Sequence, residues 1–112
     1  MRKTKLITTV AGISFAAMSL SGIAAEEKAT LDGATLYKTK TCVACHGKDA
    51  KTPILPIYPK LAGQNKDYAL AQMKDIKSGA RNNGQTAAMK GIMHMVNEAE
   101  METIAEWLSS LK

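Results

Sequence analysis

Cys42-Val43-Ala44-Cys45-His46 sets two thiols three residues apart and puts an imidazole directly after the second. On one helical turn such residues share a face, so both sulfurs can add to the vinyl groups of one haem and hold it by thioethers. His46 then falls beneath the iron, where a ring nitrogen can bind it as the proximal ligand. Three other chemistries compete for these residues. A redox dithiol needs a strand–helix–strand setting, and no β-branched apolar run precedes Cys42. A structural zinc site needs four ligands, and the available set is Cys42, Cys45, His46 and His94, of which two are adjacent and ill placed for one tetrahedral ion. A plain disulfide is the third alternative. The motif occurs once, so the reading is one haem c attached through Cys42 and Cys45.

Ligation by His46 leaves the opposite coordination position open, and its occupant separates an electron carrier from a reactive enzyme. A thioether there raises the reduction potential and keeps solvent off the iron. Downstream of the N-terminal segment the methionines are Met73, Met89, Met93, Met95 and Met101. Met73 and Met101 fall within predicted helices and read as core filler. Met89, Met93 and Met95 fall in a segment read as a loop crossing the far face of the haem, and His94 in the same segment offers a bis-histidine alternative.

Helices must position these groups. Thr30 or Asp32 can cap a first helix carrying Gly33, Leu36 and Tyr37. Pro53, Pro56 and Pro59 predict an extended loop after the motif. A second helix starts near Asn65 or Lys66 and stops at Gly79, with Tyr68, Ala71, Gln72 and Ile76 on one face. Arg81-Asn82-Asn83-Gly84-Gln85 reads as turn chemistry, and Asn97 with Glu100 as the start of a last helix. In that helix Met101, Ile104, Ala105, Leu108 and Leu111 recur at three- and four-residue steps. No segment alternates convincingly enough for a strand, so the expectation is all-α.

The first 25 residues read as a secretory signal: Met1-Arg2-Lys3-Thr4-Lys5, an apolar stretch from Leu6 to Ile23, then Ala24-Ala25, with cleavage after Ala24 or Ala25. The alternative is a retained anchor, disfavoured because Ser14, Ser19, Ser21 and Gly22 interrupt the stretch. Nothing later in the chain reads as a membrane span. The expected mature unit is one domain over 26–112 in the periplasm. Arg2, Lys3 and Lys5 leave with the signal, so 15 basic residues fall to 12 against 10 acidic ones, a net charge of +2. That is too little to suggest nucleic-acid binding.

The order of signal peptide, C-x-x-C-H, Tyr58-Pro59-Lys60-Leu61-Ala62-Gly63-Gln64, Tyr68 to Gln72, Ile76, Gly79, Arg81 and Met89 to Leu111 resembles class I c-type cytochromes. Within them it is most similar to the small bacterial periplasmic cytochrome c-553 group and to one half of the related two-haem cytochromes. The resemblance implies three to four helices wrapped around one haem. It implies Met89 as the sixth ligand, and a Pro59 carbonyl that accepts a hydrogen bond from the other ring nitrogen of His46, although the proline loop is one residue longer than the family's. It also implies Arg81 near the haem propionates, and a crossing of first and last helices at Gly33, Tyr37, Ile104 and Trp107. The function implied is a soluble, monomeric, non-enzymatic one-electron carrier between a respiratory donor and acceptor. The rivals are a haem enzyme or gas sensor with an open iron, and a redox subunit of a larger dehydrogenase complex. Lys38, Lys40, Lys48 and Lys51 crowd the motif while Glu98, Glu100, Glu102 and Glu106 gather on the last helix, which suggests docking of a partner with an acidic surface.

Overall fold

Local capping chemistry starts three of the helices in the computed structural model, which describes Gly12 and residues 29–112; the signal expected in residues 1–25 is otherwise outside the described residues. Asp32, not Thr30, caps α1 (Gly33–Thr39), its carboxylate accepting from the Thr35 amide at 2.8 Å. A very short α2 (Val43–His46) follows and carries the motif. Asn65 caps α3 (Lys66–Ser78) by accepting from the Tyr68 amide at 3.0 Å, and Gly79 ends it in the left-handed conformation, φ 87°. After α4 (Thr86–Met93), α5 (Glu98–Ser110) opens with a reciprocal box. The Glu100 amide donates to Asn97 Oδ1 at 2.9 Å, and Asn97 Nδ2 donates to Glu100 Oε1 at 2.7 Å.

α5 packs against both α1 and α3, and α4 packs against α3. At the α1–α5 crossing a Cβ on Gly33 would run into the Trp107 Cβ and stand 2.8 Å from the Thr103 carbonyl oxygen, so only glycine allows this approach. The Tyr37 and Trp107 rings meet across it at 5.0 Å, tilted by 46°. Leu36, Tyr37, Met73, Ile76, Met93, Val96, Met101, Ile104, Ala105 and Leu108 form the core, into which each large apolar side chain brings about 1.5–3 kcal/mol of burial.

The all-α expectation holds among the described residues, with five helices where three to four were expected. The extra ones are α2, a single turn, and α4, which occupies the segment read as a methionine loop. Thr86, Ala87, Ala88, Met89 and Lys90 include strong helix formers, and nothing in them breaks a helix. The face expected of α3 is displaced: Met73 and Ile76 are buried and Ala69 and Leu70 lean on the core, while Tyr68 and Ala71 are exposed. Apolar residues surround more than half of α3, so spacing alone does not choose between the faces. Among the described residues no helix is long and apolar enough to cross a membrane.

Candidate haem site

α1 is tied to the motif directly. The Cys42 amide donates to the Tyr37 carbonyl at 3.1 Å, across a turn in which Thr41 adopts a positive φ of 65°. Within the motif the His46 amide returns to the Cys42 carbonyl at 3.0 Å, the helical turn that sets Cys42 and Cys45 on one face. Gly47 then leaves the helix at φ 85°, and a Cβ there would overlap the Thr52 carbonyl. The Tyr37 hydroxyl donates to the Gly47 carbonyl at 2.6 Å and anchors this exit to α1. Neither Tyr37 nor Gly47 was singled out for the site from sequence; a glycine directly after the motif was the available signal.

The proline loop wraps back onto the motif. The Ile54 amide donates to the Cys45 carbonyl at 3.1 Å, and the Leu61 and Ala62 amides converge on the Ala50 carbonyl. This brings the Pro59 carbonyl to 2.9 Å from His46 Nδ1. A carbonyl only accepts, so Nδ1 carries the proton and the lone pair lies on Nε2. Burial holds the His46 imidazole below its ordinary pKa, with the Pro59 bond opposing, so the ring is neutral near pH 7.

Both cysteines are free. Burial pushes the Cys42 thiol up to about 11, the reverse of the lowered pKa a redox dithiol needs. Among the described residues no three His, Cys, Asp or Glu side chains gather closely enough to hold a metal, so the four-ligand zinc reading is set aside. Two thiols on one turn and a buried neutral imidazole with a free lone pair suit a haem. Beside them Ile54 and Ile57 are 61% and 64% exposed on the loop hydrogen-bonded to Cys45 and His46, apolar surface that such a disc can cover.

The three candidate methionines part company. Met93 is fully buried in the core, Met95 is 52% exposed, and Met89 is half-buried on α4 against the core. His94 is exposed. The Arg81 guanidinium donates to Gln72 Oε1 at 2.9 Å and its amide to the Asp75 carbonyl, which fixes it against α3. Lys38, Lys48 and Lys51 are exposed. Lys40 leaves the expected basic rim, because its ammonium lies 2.9 Å from Glu100 Oε2 and donates to the Met95 carbonyl. Glu98 and Glu102 pair with Lys74 and Lys66, so the acidic cluster on α5 is largely matched by lysines.

The family model described as Cytochrome c matches residues 30–112. Cytochrome c4 of Pseudomonas aeruginosa is 40% identical over 75 residues, 67% of this chain and 35% of that protein. Cytochrome c-554(548) of Halomonas halodenitrificans is 37% identical over 73 residues, 65% of this chain and 87% of that protein. A Stutzerimonas stutzeri protein named thiosulfate dehydrogenase electron acceptor is 30% identical over 103 residues, 91% of this chain and 46% of that protein. The chain thus spans little more than a third of the cytochromes c4 it matches. With the match running through every described helix and across the motif, the chain belongs to the cytochrome c family and carries one haem c, bound through Cys42 and Cys45.

Proposed function

We propose that this protein is a soluble periplasmic one-electron carrier, not itself an enzyme, in which His46 and Met89 are the axial ligands of the haem and residues 1–25 are a removed signal. The observation that carries the reading is the His46 ring, buried and held at Nδ1 by the Pro59 carbonyl, with its Nε2 lone pair left to bind iron. Bound haem c supplies a one-electron couple at its iron. The chain does the rest. Pro59 fixes the ring orientation and makes the imidazole a stronger donor, and the Tyr37–Gly47 bond keeps the motif exit from loosening. Met89, on a helix packed against α3, would supply a thioether as the second ligand. Ile54, Leu55 and Ile57, exposed on the proline loop, would cover the haem and exclude water from it, and Arg81, held against α3 by Gln72, would serve the propionates.

Electrons pass to and from other redox proteins in this reading. The relatives named as electron acceptors of thiosulfate dehydrogenase cover 91% and 100% of this chain, which supports a carrier that takes electrons from a dehydrogenase. The test is an optical spectrum of the reduced holoprotein with and without carbon monoxide. A carrier with both axial positions filled shows no change; a ready carbonyl adduct shows an open iron and sinks the proposal in favour of an enzyme or gas sensor.

A further inference from the structure

The turn between α4 and α5 is held by two lysines, one just after α1 and one on α3. The Met95 and Val96 amides bond back to the Ile92 and Met93 carbonyls, closing the end of α4, but no backbone N–H among the described residues reaches the carbonyls of Met95 or Val96. Ammonium groups take their place. Lys40, in the turn that follows α1, donates to the Met95 carbonyl at 2.9 Å, and Lys77, in the last turn of α3, donates to the Val96 carbonyl at 2.6 Å. Val96 is fully buried, so without Lys77 its carbonyl would lose its partner among the described residues.

We infer that Lys40 and Lys77 are positioning residues for the methionine side of the haem site, clamping the end of α4 so that Met89 is presented toward the motif. The inference rests on Met89 as the axial ligand. Its geometry joins the two sides of the site: Lys40 is two residues before Cys42, while its ammonium grips the turn just beyond the helix that bears Met89. Glu100 Oε2 holds the same ammonium at 2.9 Å, and Glu100 Oε1 accepts from Asn97, so the acid that orients Lys40 also completes the cap of α5. The Glu100 and Lys40 side chains are only 15% and 26% exposed. By contrast Lys66–Glu102 is an exposed pair that touches neither carbonyl, and it provides the control.

The experiment uses the holoprotein, comparing wild type with Lys40→Met, Lys77→Met, the double variant, Lys40→Arg and Lys66→Met. Three signals are read: the near-infrared band of methionine-ligated ferric haem during guanidinium titration, the helix signal in the same titration, and the rate of carbon monoxide binding to reduced protein. A hydrogen bond to a charged group has the strength to change an equilibrium by about tenfold or more. Carbon monoxide should therefore bind about tenfold faster for each clamp lysine removed. In the double variant the methionine band should fade well before helix is lost. Lys40→Arg should restore most of the wild-type behaviour, and Lys66→Met should not differ from wild type. If the band and the helix signal are lost together and carbon monoxide binds at the wild-type rate, the lysines only stabilise the fold and the inference is overturned. Should the double variant fail to fold, the single variants are judged by the same criterion. Met89→Ala separates the two ideas: a band that survives it refutes the axial assignment, whereas a band that disappears there but is untouched by both lysine substitutions refutes the clamp alone.

Discussion

Tyr37 ties three parts of the structure together: its ring meets Trp107, its backbone carbonyl takes the Cys42 amide, and its buried hydroxyl donates to Gly47 at 2.6 Å. Removing only the hydroxyl leaves the Gly47 carbonyl with the longer bond from the Ala50 amide, 3.3 Å, so Tyr37→Phe should lower stability by about 0.5–1.5 kcal/mol in denaturant titration. The effect has a pH signature. Burial, then the charges of Cys42 and Asp49, push the phenol from 10.0 to about 12; the Cys42 contribution disappears once its sulfur is a thioether, and burial keeps the direction. Above the ordinary phenol value the unfolded chain loses this proton before the folded one does. Stability fully present below pH 10 is therefore lost as the pH rises toward 12, by at most about 1.4 kcal/mol per unit. The wild-type advantage over Tyr37→Phe should shrink over that range, and an advantage that grew with pH would contradict the burial of the hydroxyl.

At the scale of elements, the crossing of α1 and α5 turns on Gly33. Gly33→Ala places a methyl against Trp107 and the Thr103 carbonyl and should cost about 1–3 kcal/mol, measured as a shift in the guanidinium midpoint. This crossing, the three caps and the stop at Gly79 were legible in the sequence because each depends on a few neighbouring residues or on a resemblance carried by them. Asp32, Asn65 and Asn97 each satisfy the amide three residues on, and that chemistry is local. α4 was not legible: no side chain caps its first turn, and its start rests on the Thr86 amide and hydroxyl bonding to the Asn83 carbonyl. The buried face of α3 and the role of Lys40 also escaped, since both are decided by which helices pack together. A lysine near the motif reads as a rim charge until Glu100 and the Met95 carbonyl are seen beside it.

For the whole molecule, the charge asymmetry read from sequence survives in reduced form. Lys38, Lys48 and Lys51 remain exposed around the motif, while Glu98, Glu100 and Glu102 are paired with lysines. A partner with an acidic surface would be steered to this face, and since exposed charges are screened over about 10 Å at 0.1 M, added salt should slow the second-order electron-transfer rate. Changing both Lys48 and Lys51 to glutamate should lower that rate at low salt and flatten its salt dependence, with the haem spectrum unchanged; a rate that is level or rises with salt would point to apolar docking instead. The domain is small, and the haem is the disc its helices close around, so the account stands or falls on the ligand supplied by α4. The most direct measurement is the near-infrared methionine band of the ferric holoprotein in wild type, Met89→Ala, Met93→Ala and Met95→Ala. The band should vanish in Met89→Ala alone, and that variant should also bind carbon monoxide when reduced; a band that persists in Met89→Ala and is lost in Met93→Ala or Met95→Ala would contradict the assignment.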